Sequence, residues 1–271
     1  SGLPVSYQLV SGPASVAGNR VSLIAAGRVV IRASQPGNGN FEAAAPIEQA
    51  FNVAERIEVI ALNSTAKDGY YRAGQTVEIS VSFSGIVNVT GTPALQLNSA
   101  AQRSATYLSG SGTSVLTFAY QVQAGDLSAD LDAAGPGALI GAIASVTGAV
   151  APSLVVPVGT AAGALARSRD IIVDTVPPPP PSFNMPLFVG TRRPVLSGQA
   201  ESRSVVQVFK DGGVVATVTA DAGGVWSATA ATDLSEGRNE ISARATDVAG
   251  NTGALSAVAV LEVDLSVPAA P

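Results

Sequence analysis

The sequence predicts an all-β protein of tandem β-sandwich domains in an elongated array, and three observations carry that prediction. Short apolar runs alternate with polar residues and are punctuated by Gly, Pro, Asn and Asp every eight to twelve or so residues. The chain is 46% hydrophobic but only 5% aromatic, with 28 Gly and 17 Pro, a composition of packed strands and frequent turns. A pattern also recurs: "IIVDTVPPPPP" from Ile171 and "LEVDLSVPAAP" from Leu261 each end a strand-like run on Val-Asp and then enter proline. The two acids, Asp174 and Asp264, are about 90 residues apart, near the size of one sandwich module.

Residues 1–54 contain the runs "VSYQLV", "NRVSLIA", "GRVVIRAS" and "IEQAFNV", with "PGNGN" as a turn. A sandwich takes about seven strands and about 100 residues, so this unit reads as a partial one, with an open sheet edge and apolar surface left uncovered. With no initiating Met and an end at "VPAAP", the chain is expected to be cut from a longer array.

Residues 55–176 read as a complete sandwich. In "QTVEISVSFS", Val77, Ile79, Val81 and Phe83 share one face and Thr76, Glu78, Ser80 and Ser82 the other, the pattern of a half-buried strand. "ALQLN", "SATYLS", "SVLTFAYQV" and "RDIIVD" follow as strands, with Gly110-Ser111-Gly112 as a hairpin tip. The Ala/Gly-rich stretch 126–157 leaves two readings open, a further strand pair or a short helical turn.

Residues 177–182 are a polyproline linker. Pro177 to Pro181 favour polyproline II at ~3.1 Å per residue, a semi-rigid spacer of about 15 Å. Residues 183–265 give six runs: "RPVLSGQA", "SVVQVFK", "VVATVTA", "VWSATA", "NEISARATD" and "SAVAVLEVD". Asp211-Gly212-Gly213 is a hairpin turn, and Trp226, the one Trp of the chain, reads as a core plug. Residues 266–271 read as the start of the next linker.

The composition also excludes chemistry. With no His and no Cys there is no imidazole base, no disulfide and no thiolate metal site. A net charge of −5 and the absence of a basic patch interleaved with aromatics argue against nucleic acid as a partner. No apolar run reaches the ~18–20 residues of a membrane span. The acids are scattered over turns without a paired cleft, and Lys67 and Lys210, the two lysines, sit beside turns where solvent exposure is expected. The expectation is a protein without catalytic activity.

Three stretches carry a resemblance to known families. "GRNEISARATDVAGN" followed by "GNTGALSAVAVLEVD" is similar to the last strands of bacterial Ig-like repeats, whose Ala-Thr-Asp-x-Ala-Gly-Asn turn is unbroken here at Ala245 to Asn251. "YYRAGQTVEISVSFSGIVNVTGTPALQLN" with "ATYLSGSGTSVLTFAYQVQAGDLSADLDA" resembles the Ig-like or cadherin-like repeats of very large bacterial surface and secreted proteins. "GLPVSYQLV" through "IEQAFNV" resembles the latter part of an MBG-type Ig-like domain, its opening strands absent. The resemblance implies immunoglobulin-like sandwiches whose partners are neighbouring repeats of the same chain, at a bacterial surface or secreted, with a host or matrix ligand held by other regions. It implies a stalk segment of a repeat adhesin. The alternatives are a glycan- or protein-binding module and an accessory spacer of a secreted hydrolase.

Some adhesins of this class hold calcium between domains, which implies a candidate site at Asp247, Asn251 and Asp264, with Asp174 as the equivalent boundary acid. The residues themselves support a second reading, in which Asp247 and Asn251 lock a turn through backbone hydrogen bonds. Asp126, Asp130 and Asp132 lie close in sequence but lack the Gly and terminal Glu of a calcium loop, and read as a solvated turn.

Overall fold

The structure is a computed structural model that describes residues 2–99, 103–146 and 150–266. Of the expected linker start at 266–271, residues 267–271 lie outside the described residues. Among the described residues the fold is all-β, with one four-residue helix.

The N-terminal stretch forms β1 (Ser6–Ser11), the hairpin β2 (Ala14–Ala17) and β3 (Arg20–Leu23), then β4 (Gly27–Gln35) and β5 (Ala44–Val53). Strands β1, β4 and β5 make an antiparallel sheet with β4 central. Asn38, within "PGNGN", caps the turn between β4 and β5 by accepting from the Asn40 and Phe41 amides. Few apolar side chains are buried here, namely Ala14, Val29 and Val30.

The central stretch forms β6 (Val59–Ser64), β7 (Gly69–Tyr71), β8 (Thr76–Gln96), β9 (Ser104–Ser109), β10 (Thr113–Gln121), β11 (Leu127–Ser128), β12 (Leu139–Ser145), α1 (Leu165–Ser168) and β13 (Ile171–Asp174). The runs "QTVEISVSFS" and "ALQLN", read as separate strands, belong to one 21-residue strand, β8. Its first half pairs with β10 and β6, as at Val77↔Tyr120 and Val81↔Leu62. Its second half pairs with β12 and β9, as at Leu95↔Leu139 and Leu95↔Ala105. One strand thus organises every neighbour of the larger sheet, which alternation alone does not reveal. The smaller sheet, β11-β13-β7, contains a parallel pair, β13 on β7. Val77, Ile79, Val81 and Phe83 enter one core with Phe118, Tyr120, Ile171 and Val173, so the two sheets close over the face that the alternation marked. The stretch left open at 126–157 contributes β11 and β12, and the helical turn lies later, placing Leu165 in the same core.

The C-terminal stretch forms β14 (Ser182–Phe183), β15 (Phe188–Val189), β16 (Val195–Gln199), β17 (Val205–Lys210), β18 (Gly213–Thr219), β19 (Val225–Thr229), β20 (Gly237–Thr246) and β21 (Ala259–Val263). Sheets β14-β16-β19 and β15-β21-β20-β17-β18 enclose a second core containing Leu196, Val206, Val208, Ile241 and Leu261. Trp226 is buried at its centre, edge-on to Phe183 with ring centroids 5.5 Å apart. Each apolar side chain taken fully out of water in these cores contributes about 1.5–3 kcal/mol.

Candidate functional site

The candidate site is the joint where β13 hands the chain to the prolines and meets the turn after β20. Asp174, the last residue of β13, turns the exit: its Oδ1 accepts from the Val176 amide at 3.0 Å. Thr175 ties the same exit to the β10–β11 loop by donating to the Asp126 carbonyl and accepting from the Gly125 amide. Asp264 does the equivalent job after β21, accepting from the Ser266 amide at 2.8 Å. An acid recurs at both strand ends because a carboxylate holds an amide two residues on and sets the direction in which the chain leaves.

The "TDVAGN" turn is closed by its own side chains. Asp247 Oδ1 accepts from the Asn251 amide at 2.8 Å and Oδ2 from Asn251 Nδ2 at 2.9 Å, while Gly250 takes a φ of +87° that few other residues adopt. The same Nδ2 donates to the Asp174 carbonyl at 2.9 Å. Beside it, Arg72 donates to the Gly250 carbonyl at 2.5 Å. A Cβ on Gly253 would overlap the Pro178 carbonyl oxygen, so glycine is what lets the linker lie against this turn. Pro178 and Pro181 are both buried. The prolines therefore pack alongside the C-terminal sandwich rather than standing off from it, because two of the rings have apolar surface to cover. An open groove of about 520 Å³ remains, lined by Arg72, Gln75, Pro177, Asn251 and Thr252 among others.

Of the four residues implied as calcium ligands, Asp174, Asp247 and Asn251 are brought together and Asp264 is not. Gly237 pairs with Val263, so Asp264 lies at the opposite end of β20 from Asp247. The length of a ten-residue strand, about 30 Å, separates them. The strand end at Asp264 and the "TDVAGN" turn lie at opposite poles of the sandwich, and it is the incoming strand end that the turn meets. As arranged, the three residues at the joint do not fit a calcium cage. The point where Asp247 Oδ2 and the Asp174 carbonyl converge is filled by an N–H donor, whereas calcium requires six to eight oxygens. Among the described residues, no three His, Cys, Asp or Glu side chains are grouped to hold a metal ion.

One acid near the joint was not legible in sequence. Glu201, in the turn before β17, has its carboxyl pushed up by burial and then by the negative charges of Asp247 and Asp174. A raised carboxyl favours the protonated form in the folded state, so its stabilising contribution is present at low pH and lost as pH rises through the folded value. Glu201→Gln is accordingly expected to raise the melting temperature of the C-terminal sandwich at pH 7 and to change it little at pH 4. A melting temperature lowered at pH 7 would mean that the carboxylate holds a favourable contact instead.

The "GDLSADLDAAG" acids also differ from the expected solvated turn. Asp126 is 0% exposed and Asp132 4% exposed. Asp126 binds the Arg103 guanidinium at 2.7 Å and accepts from the Tyr120 hydroxyl and the Gln123 amide, both at 2.8 Å. Asp132 accepts from the Ala133 and Gly159 amides. Buried carboxylates need such partners, and the partners come from distant strands that local sequence does not display. Lys210 is likewise more covered than expected, its ammonium held by Asp211 and Ser235.

Comparison with known families matches residues 188–265, from β15 to just past β21, to the family described as bacterial Ig-like domain. Residues 188–265 are thus similar to a bacterial Ig-like domain. The Asp247–Asn251 lock lies within the matched stretch, and its contact with Asp174 is where the C-terminal sandwich meets the preceding one. Comparison with curated proteins gave no match. Among solved structures, the chain is similar to the BSP domain of a biofilm associated protein at 14% identity and a TM-score of 0.28, covering 94% of this chain and 46% of that one. It is also similar to the FN1–FN3 domains of chicken CNTN1, at 9% identity and a TM-score of 0.32, covering 95% and 87%. Domains 4–9 of the surface layer protein SbsC match at 14% identity and a TM-score of 0.21, covering 97% and 39%. The chain spans less than half the length of the first and third of these.

Proposed function

We propose that this protein is a non-catalytic spacer segment of a bacterial surface or secreted repeat protein, in which a partial Ig-like unit and two complete sandwiches (residues 55–176 and 183–265) set the distance and direction of a binding region carried elsewhere. The observation that carries this reading is the joint. Asn251 to Asp174, Arg72 to Gly250 and the Gly253 approach to Pro178 join two separately cored sandwiches by direct contact. A spacer has to hold an angle as well as a length, and a hydrogen-bonded joint with a packed proline linker does both without an ion.

The test is the interdomain distance distribution between spin labels placed at the exposed positions Glu78 and Thr217, measured in EDTA and in millimolar calcium. A single narrow distribution, the same in both solutions, and broadened by the double substitution Asn251→Ala with Arg72→Ala, is the expected result. A broad distribution in the unsubstituted protein would remove the spacer reading. A distribution that narrows with calcium and loses that response in Asp247→Ala would replace the direct joint by an ion-stiffened one.

A further inference from the structure

The passage from β5 to β6 is built differently from the joint at β13. Its linker, Ala54-Glu55-Arg56-Ile57-Glu58, contains no proline, and both of its ends are fixed. On one side Val53, the last residue of β5, pairs with Gly27. On the other, Ile57 is buried in the core of the central sandwich, its carbonyl accepts from the Ser153 amide, and Glu58 exchanges bonds with Ser84. Gly85 makes this second anchor possible, because a Cβ there would lie 3.0 Å from Ile57 Cγ1, closer than packed carbons sit. Between the anchors, Ala54, Glu55 and Arg56 are exposed and their backbone amides and carbonyls make no hydrogen bond within the described residues. Among the described residues, no hydrogen bond or ion pair links residues 2–53 to residues 58–266 either. Beside the linker instead is an open cleft of about 480 Å³, walled on one side by Asn52 and Ala54 and on the other by Ile57, Gly85, Ile86 and Val146. Ile86 and Val146 are 51% and 54% exposed. Ile24, 71% exposed, belongs to the facing pole of the N-terminal sheet, three residues before the Gly27 that pairs with Val53.

We infer that residues 54–56 are a hinge on which the N-terminal sheet swings, closing Ile24 and Ala54 over the cleft against Ile86 and Val146. A hinge needs a few residues free to change φ and ψ between two ends that are held, and this linker supplies both. Three residues span at most about 10 Å, so the sheet stays at this pole of the central sandwich and its motion is a swing rather than a departure. Closing takes apolar walls out of water, which favours the closed arrangement. The walls are few, and a small contact between units of one chain leaves the open arrangement populated. At the other joint, Asn251, Arg72 and Gly253 make the contacts that this linker lacks. The inference goes beyond the spacer reading and does not depend on it, since the stiffness of that joint does not act on this linker.

The experiment places spin labels at the exposed positions Gln49 and Glu78 of the whole chain, which has no Cys of its own to take a label. The expected result is a broad distance distribution that narrows about twofold in the double substitution Glu55→Pro with Arg56→Pro, because these amides donate to nothing and proline fixes φ without losing a hydrogen bond. Ile86→Asp with Val146→Asp, at positions already half in water, should leave the distribution broad and deplete its short distances. A single narrow distribution in the unsubstituted protein would overturn the inference. So would a broad one that keeps its short distances in the aspartate variant, since the apolar walls would then not be what closes. The Glu78 and Thr217 pair reads the other joint, so failure of the spacer reading shows there and leaves this measurement unchanged.

Discussion

Replacing Arg103 with alanine is expected to destabilise the central sandwich by about 3 kcal/mol at pH 7, because it strands a buried carboxylate. Asp126 has no exposed side-chain surface, while Arg103 keeps 32% of its own. The loss therefore falls on the acid, which cannot be rehydrated without opening the sheet. Burial by itself pushes the Asp126 carboxyl up, but the Gln123 amide, the Arg103 guanidinium and the Tyr120 hydroxyl outweigh it and hold the group below its ordinary range. Burial, and then Asp126 beside it, push the Tyr120 hydroxyl well above its ordinary range, so it remains a donor at any physiological pH. A depressed carboxyl contributes stability above its unfolded value and loses it as pH falls through the folded one. Urea denaturation at pH 7 and at pH 3 should thus show a large gap between Arg103→Ala and the unsubstituted protein that narrows in acid. Asp126→Asn should cost less than Arg103→Ala, since the arginine it releases already reaches water. A loss below about 1 kcal/mol for Arg103→Ala would mean that water replaces the guanidinium at Asp126 and that the pair is not structural.

Trp226→Ala is the second large effect, about 4 kcal/mol, and it should be confined to the C-terminal sandwich. Trp226 is the largest fully buried side chain, and its removal deletes the edge contact with Phe183 together with the filling between the two sheets. Its Nε1 is buried without a hydrogen-bond partner, so Trp226→Phe gives up volume but no hydrogen bond and should cost less than half as much. For a unit of this size, ~4 kcal/mol corresponds to a fall of roughly 20 °C in melting temperature. Calorimetry should resolve that fall in one transition while the transition of the central sandwich stays in place, because Trp226 belongs to one core and Phe118 to another. If both transitions moved together, the joint would be coupling the sandwiches more strongly than its hydrogen bonds account for.

The strands that alternation marked, such as Val77 to Phe83, turn their apolar side chains into the core as the pattern required. The hairpin tips at Gly110–Gly112 and Asp211–Gly212 fall between paired strands, β9 with β10 and β17 with β18. Trp226 is the plug that its surroundings implied. These features are local: period-two burial and turn chemistry act between residues a few positions apart, and a single chain displays them. The lock between Asp247 and Asn251 is of the same kind, its partners four positions apart.

What the sequence by itself determined is therefore the all-β class, most of the strands, and which face of the marked strands turns inward. What only the tertiary structure decided is which distant groups meet. Arg72 reaches Gly250 across 178 residues, Asn251 reaches Asp174 across 77, and Arg103 reaches Asp126 across 23. No periodicity encodes these pairings. They arise because strand order and pole orientation bring together surfaces that have no sequence relation, which is also why Asp264, matched to Asp174 by repeat position, ends at the far pole from the turn it was expected to join.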